Sequence, residues 1–298
     1  MRVLVTGAGG MLGQEVCRAL EAAGDQAVAA LRSGPGPAAD VTRPQEVWRL
    51  LEEQRPDRVI HCAAWTDVNG AERDPVGAFR VNAHGSRVVA SACADLGIPV
   101  CAISSDFVFD GCKGEPYDEF DAPNPISEYG RSKLAGEEFV RHICPRHWIV
   151  RTAWLYGAGG RCFPDAVLRR AEEGRELRVV ADQRGSPTYA RDLAEALVRL
   201  VRGRLYGTWH LAGSGEATWH QFARATLELA GHAGVEIAPI SSVEWPSPAR
   251  RPACSVLRSY ALELAGEPPL RPWREALADY VRERAARLRG SGSCASGT

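Results

Sequence analysis

Short continuous apolar runs alternate with longer segments of helical spacing through the first half of the chain. Residues 3–5 (Val-Leu-Val) form the first run, and 11–23 carry apolar residues on one helical face, with Gly24 placed to stop the helix. The same reading predicts strands at 26–31, 58–61, 98–104 and 147–153. It predicts helices at 44–54, 75–96 and 127–143, the first opening on Pro44 with Thr42 or Arg43 near its cap. Strands separated by helices of this length imply βαβ units, and their unbroken apolar character fits a parallel sheet covered on both faces. Beyond residue 155 the alternation loosens: helices are expected at 161–173, 190–202, 218–230 and 272–287, with short strands near 177–180 and 207–211. The predicted fold is α/β: a Rossmann-type doubly wound parallel sheet in residues 1–155, and a smaller C-terminal α/β portion over 156–289. The chain is free to cross between the two. Residues 290–298 are small and polar and read as a disordered tail.

Composition narrows the class. The 298 residues are 45% hydrophobic and 24% charged, as in an ordinary globular protein. A net charge of -1 gives no basic field for nucleic acid or anionic membranes. No apolar run reaches the ~18 residues of a membrane span, and the N-terminus lacks the form of a signal peptide. The 9 cysteines include no CxxC pair and read as reduced thiols of a cytoplasmic protein. The 7 histidines form no metal-binding spacing, so no metal is assigned. Lys113 and Lys133 are the only lysines; every other basic residue is arginine.

Residues 6–13, Thr-Gly-Ala-Gly-Gly-Met-Leu-Gly, place Gly7, Gly10 and Gly13 between the first strand and the first helix. Small residues there let backbone approach a pyrophosphate, and a helix N-terminus offers free N–H groups and a positive dipole end. That context points to a dinucleotide. An acidic residue at the end of the second strand would bind a ribose 2′-hydroxyl; instead the chain has Arg32, which leans towards the 2′-phosphate of NADPH, with NADH still open. Asp40 either sits near the adenine or caps the next helix.

Tyr129 and Lys133 stand four apart on a predicted helix and so share a face. A nearby ammonium lowers a phenol's pKa and suits it for proton exchange with a substrate oxygen. Lysine is a compact charge whose donors can also reach ribose hydroxyls. Ser105 follows the fourth strand, at the end where open parallel sheets bind ligands, and its hydroxyl can hold a carbonyl oxygen. Together these features describe hydride transfer between a nicotinamide and a carbonyl or alcohol.

These residues resemble the extended short-chain dehydrogenase/reductases, and within them the dTDP-4-dehydrorhamnose reductase family. The likeness runs from residue 1 to about 258. It includes Ser104-Ser105-Asp106-Phe107-Val108-Phe109-Asp110-Gly111, Arg151 to Gly157, and Asp182-Gln183-Arg184-Gly185-Ser186-Pro187-Thr188. The resemblance implies a Ser105/Tyr129/Lys133 triad with Tyr129 as proton donor. It places Gly10, Met11, Leu12, Asp40, Val41, Ala63, Ala64 and Trp65 along the cofactor, and Ser105, Asp106 and Trp154 towards the sugar nucleotide. It implies NADPH-dependent reduction of the 4-keto group of a dTDP-linked 4-keto-6-deoxysugar by a monomer or homodimer.

Departures from the family pattern bear on which sugar is reduced. Ser105 stands where threonine is usual, Phe107 where tyrosine is usual, and Asn69 where an aspartate is usual. Cys254 and Arg258 replace the Asn and Asp of the family phrase RPANSVLD. The resemblance itself implies dTDP-4-dehydrorhamnose, reduced to dTDP-L-rhamnose; the departures fit a relative working on another dTDP-4-keto sugar, such as an antibiotic-pathway deoxysugar of the dihydrostreptose type. Some relatives dimerise through Mg2+ held by glutamates; Glu15 is the one match here, and reads better as an exposed helix residue. The alternatives are an epimerase or dehydratase of the same fold, with Asp106 as a second proton-transfer group, and a non-catalytic NADP-binding subunit resembling that of methionine adenosyltransferase.

Overall fold

The computed structural model describes residues 1–34 and 36–292. The chain enters through β1 (Arg2–Thr6), α1 (Met11–Ala22), β2 (Gln26–Ala30), α2 (Pro44–Gln54) and β3 (Arg58–His61). Two short helices follow, α3 (Val68–Arg73) and α4 (Pro75–Phe79), then a π-helical turn (Arg80–His84) that runs directly into α5 (Gly85–Asp95). β4 (Val100–Ser105), α6 (Glu128–Ile143) and β5 (His147–Thr152) complete the first half. Pro44 opens α2 and Ser127 caps α6 through the Gly130 N–H, so both boundaries are set by the first-turn chemistry of their own residues.

The second half begins with β6 (Leu155–Tyr156), α7 (Phe163–Glu172), β7 (Leu177–Val180), β8 (Arg184–Gly185), β9 (Thr188–Tyr189) and α8 (Ala190–Arg202). β10 (Gly207–His210), β11 (Ala217–Thr218), α9 (Trp219–Leu229), β12 (Ile237–Ile240), α10 (Tyr260–Ala265) and α11 (Trp273–Gly292) follow. α11 continues through Gly292, so residues 290–292 are the end of a helix where a tail was expected; residues 293–298 of that tail lie outside the described residues.

Six parallel strands form the central sheet in the order β10-β5-β4-β3-β1-β2. Its direction of winding reverses between β1 and β3, which opens a crevice at their carboxyl ends. β10, although late in sequence, pairs with β5, so the chain returns to the first sheet before leaving it again. One face is packed by α1 and α8 around Val3, Val5, Leu12, Trp148 and Leu197; the other by α2, α5 and α6 around Leu4, Val59, Val89, Val140 and Ile149. Burial of both faces is what makes the strands read as unbroken apolar runs. A separate aromatic core, with Tyr156, Tyr189, Phe222 and Tyr280, holds the second half together.

Candidate active site

The glycine turn closes over the switch point. Gly7 has φ +65°, and a Cβ there would lie 2.7 Å from the Ala63 backbone at the end of β3. A Cβ on Gly13 would lie 2.3 Å from the Gly7 carbonyl, so only glycine lets α1 start this close to the turn. Gly10 is the N-cap of α1 and its helix end receives no side-chain cap. Exposed backbone at Gly9 and Gly10 and uncapped N–H groups fit a dinucleotide pyrophosphate. Leu12 is 7% exposed and belongs to the core, so the part of it that can face a cofactor is its backbone. Met11 lies instead against Gly157 and Gly160 of the second half.

At the end of β2, Arg32 forks the Asp40 carboxylate with contacts of 3.2 and 3.3 Å. Asp40 also accepts from the Thr42 N–H and hydroxyl, and these bonds hold its pKa below the usual range. Asp40 therefore shapes its own turn; the N-cap of α2 is Arg43. Val41 is buried against Gly85 of α5.

Residues Ala63, Ala64 and Trp65 leave β3 along the crevice. Asn82 holds them: its amide accepts from the Trp65 N–H at 2.8 Å and donates to the Trp65 carbonyl at 3.1 Å and to the Ser132 hydroxyl at 2.9 Å. Asn82 sits in the π-helical turn, and a Cβ on Gly136 of α6 would fall 2.5 Å from its carbonyl. The widened turn brings a buried amide between the cofactor loop and the helix that carries Tyr129 and Lys133. Sequence periodicity passes straight through this turn. An asparagine on the buried face of an otherwise apolar helix was the available signal.

Ser105 ends β4, Tyr129 opens α6 and Lys133 follows one turn later. A Cβ on Gly130 would lie 2.1 Å from the Phe107 carbonyl, so α6 docks directly on the 3-10 turn after Ser105. The Ser105 hydroxyl donates to Asp106 Oδ1 at 2.9 Å and accepts from the Phe107 N–H at 3.2 Å, and it lies near enough to the Tyr129 phenol to influence its proton. The Phe107 ring packs edge-on to Tyr129, with centroids 5.5 Å apart. Burial pushes the Tyr129 pKa up to about 12, against the opposing effect of Ser105. The expected lowering by Lys133 does not appear: burial of the phenol dominates, the Asp106 carboxylate adds to it, and only Ser105 works the other way. Burial brings Lys133 down to about 8, with Glu137 working against the shift, and its ammonium donates to the Ile103 carbonyl at 2.6 Å.

Asp106 is 2% exposed. Its second oxygen accepts from Ser255 at 2.6 Å, and desolvation raises its pKa to about 6. Trp154 follows β5 with φ +45°, an uncommon conformation for a bulky residue. Its indole stacks on Trp219 at 3.5 Å and lies so close to Gly185 that a Cβ there would be 2.3 Å from the ring. One face of Trp154 is therefore taken by protein. Its flank packs beside Val108, Phe109 and Leu257, next to the Asp106 turn.

Of the departures noted in sequence, Phe107 touches Tyr129, and Asn69 accepts from Arg251 and Ser247. Cys254 is buried, whereas Arg258 turns away to pair with Glu263. Glu15 is 3% exposed and pairs with Arg18 on the side where α1 meets α8; the expected exposed position is corrected by that packing. Among the described residues no cluster of three or more His, Cys, Asp or Glu side chains could hold a metal ion, and no helix is long and apolar enough to cross a membrane.

Comparison with known proteins adds four findings. The family model described as RmlD substrate binding domain matches residues 1–286. The spore coat polysaccharide biosynthesis protein SpsK of Bacillus subtilis (strain 168) is 39% identical over 285 residues, covering 96% of this chain and 98% of its own. The dTDP-4-dehydrorhamnose reductase of Streptomyces griseus is 41% identical over 284 residues, covering 93% and 92%. Among solved structures, dTDP-4-dehydrorhamnose reductase from Bacillus anthracis in complex with NADP superimposes with a TM-score of 0.91 at 38% identity, covering 95% of this chain and 99% of that one.

Proposed function

The chain belongs to the RmlD substrate binding domain family, the dTDP-4-dehydrorhamnose reductases, and from that premise we propose how its own residues carry the family's reaction and on which sugar. The activity is NADPH-dependent reduction of the 4-keto group of a dTDP-4-keto-6-deoxysugar. The assignment of residues rests above all on one arrangement: Ser105 at the carboxyl end of β4 neighbours the Tyr129 phenol, and Lys133, one turn further along α6, is fixed to the Ile103 carbonyl of the same strand.

NADPH, when bound, supplies the hydride that reaches the keto carbon. Tyr129 gives its phenolic proton to the keto oxygen. A phenol held near 12 stays protonated through the neutral range, which suits a proton donor in the reducing direction. Ser105 orients the carbonyl against that phenol. Lys133, fixed to the Ile103 carbonyl, has donors left for ribose hydroxyls and keeps positive charge beneath the developing alkoxide. Gly7, Gly10 and Gly13 would admit the pyrophosphate of NADPH, and Arg32, turning from Asp40, would take its 2′-phosphate. Trp154, stacked on Trp219 and lying against Gly185, walls the sugar site.

Both Asp106 oxygens are engaged by serine hydroxyls, which argues against Asp106 as the second proton-transfer group of an epimerase or dehydratase. The sugar we assign is dTDP-4-dehydrorhamnose, reduced to dTDP-L-rhamnose, or a close relative of the dihydrostreptose type. The reaction belongs in the cytoplasm, consistent with eight free cysteines among the described residues.

The test is NADPH oxidation with freshly made dTDP-4-keto-6-deoxy-L-lyxo-hexose, the product identified by NMR. Rapid oxidation is expected, and Tyr129→Phe should lose ~10²- to 10⁴-fold in kcat while still binding NADPH. Absence of oxidation in protein that binds NADPH would overturn the assigned sugar. Wild-type turnover by Tyr129→Phe would overturn the donor.

A further inference from the structure

Four neighbouring strands carry polar side chains onto the face that α6 covers. In register, His61 of β3 stands beside Ala102 of β4, and two positions further on Ser104 stands beside Arg151 of β5, which stands beside His210 of β10. Residues two apart on a strand share a face, so these side chains lie on the same side as Val59, Ala102 and Ile149. Lys133 and Glu137, one turn apart on α6, reach them from above. The Glu137 carboxylate accepts from Arg151 Nε at 3.0 Å and Nη2 at 2.7 Å, and from the Ser104 hydroxyl at 2.5 Å. Arg151 faces His210 Nε2 at 3.5 Å. His210 Nδ1 lies 3.1 Å from the Tyr117 and Arg258 carbonyls, so Nδ1 bears the ring proton and Nε2 turns a lone pair to Arg151.

The result is a buried row across the sheet: His61, Lys133, Glu137, Arg151, His210, with one carboxylate between two cations. Burial, with the cation beside each ring adding to it, brings both histidines down to about 3, so neither end of the row contributes charge near neutral pH. Of the two cations, only the lysine can lose its proton.

Resting on the reductase reading above, we propose that Glu137 is a positioning residue: its carboxylate, fixed by Arg151 and Ser104, keeps Lys133 charged for its work at the ribose and beneath the alkoxide. Glu137 of its own helix acts on Lys133, as do His61 and Cys62 at the end of β3; Tyr129 stands one turn before it, and the Ile103 carbonyl of β4 takes one of its protons. Burial pushes the Cys62 thiol up to about 12, so it is neutral like His61. The carboxylate is then the negative charge that opposes desolvation of the lysine. Arg141, which also approaches Glu137 at 3.5 Å, is partly exposed and so more screened by water. A neutral side chain in place of Glu137 would leave two buried cations facing each other, and Lys133 would discharge.

The chain has two lysines, so protein labelled with ¹³C at lysine Cε gives two such resonances, and Lys133→Arg tells them apart. In the wild type Lys133 should titrate near pH 8. In Glu137→Gln it should titrate ~1 pH unit lower or more, and in Glu137→Asp, which keeps the charge, closer to wild type. Arg151→Gln removes the competing cation and should move the titration the other way, upward. The alkaline limb of kcat/KM should follow: Glu137→Gln loses ~5-fold at about pH 8 and regains most of it at about pH 6, whereas loss of helix packing alone would lower the rate at every pH. A Lys133 resonance that keeps its wild-type titration in Glu137→Gln, or that falls in Arg151→Gln as well, overturns the proposal. If Glu137→Gln fails to fold, Arg151→Gln decides, and an unmoved titration there overturns it. Failure of the wild type to reduce the sugar counts against the reductase assignment alone, since the lysine titration needs no turnover.

Discussion

The nucleotide end and the sugar end of this site are built from different materials. At the nucleotide end the close contacts are backbone on backbone: Gly13 against the Gly7 carbonyl, Gly7 against Ala63, all within the first 63 residues and two adjoining strands. At the sugar end residues from distant segments meet through side chains: Ser255 bonds to Asp106 on the turn after β4, and the Trp154 indole stacks on Trp219 and lies against Gly185. A backbone cradle has few variables, because any Cβ in it must move a whole element. A side-chain wall can be retuned one residue at a time, and Phe107, which departs from the family pattern, stands there against Tyr129. Tyr129 and Lys133 stand where the two ends meet.

The sharpest way to break this comparison is to put one methyl group at each end. Gly13→Ala places a carbon 2.3 Å from the Gly7 carbonyl, an atom that cannot rotate away. NADPH affinity should fall ~100-fold, with loss of thermal stability as well, measured by fluorescence titration and a thermal melt. Gly185→Ala also demands a shift at 2.3 Å, but of a Trp154 side chain that can tilt with Trp219. Its KM for the keto sugar should rise ~10-fold with NADPH affinity intact. If Gly185→Ala weakens NADPH binding as much as Gly13→Ala does, the two ends are not separable.

The same division explains what could be read from sequence. β1, α1, α2, β3 and α6 stand where hydrophobic periodicity and Pro44 placed them, because each signal acts within a few residues. Ser105, Tyr129 and Lys133 are local to one βα unit, and their grouping was legible for that reason. The π-helical turn at Asn82 was not: the run from 75 to 96 keeps helical spacing, and only the partners at Trp65 and Ser132 show why the turn widens. α3, α10 and β12 are short, with little room for a period to declare itself. Ser255 lies 149 positions from Asp106, and nothing in either neighbourhood announces the pair. The rise in the Tyr129 pKa was likewise hidden, since spacing reveals a nearby lysine and says nothing of how dry the phenol is.

Where the two ends meet, pH separates the roles of Tyr129 and Lys133. Tyr129, near 12, stays protonated across the working range, while Lys133, near 8, does not. A lysine carries its charge below its pKa and loses it above. The alkaline limb of kcat/KM, which reports the free enzyme, should therefore belong to Lys133: half the plateau near pH 8 and about a tenth one unit higher. Lys133→Arg, if folded, should push that limb out of range at a lower plateau, because the guanidinium stays charged but is planar and larger. A wild-type limb that begins only beyond pH 10 would return the titration to Tyr129.

The smallest effect is expected at the outer edge of the nucleotide end, where the cradle gives way to solvent. The Arg32 side chain is 84% exposed and its partner is the Asp40 carboxylate, itself satisfied by Thr42. An exposed ion pair of this kind contributes little and is screened by salt, so Arg32 can turn to a 2′-phosphate without leaving a buried charge behind. A phosphate dianion then offers more negative charge than the carboxylate it replaces. Arg32→Ala should weaken NADPH only ~3- to 10-fold, leave NADH unchanged, and leave the KM for the sugar unchanged. The NADPH difference should shrink further at high ionic strength, because the contact remains in water. Equal loss for NADH and NADPH would mean that Arg32 holds the loop between β2 and α2 in shape and does not read the phosphate. Discrimination between the cofactors would then have to come from backbone in the same loop.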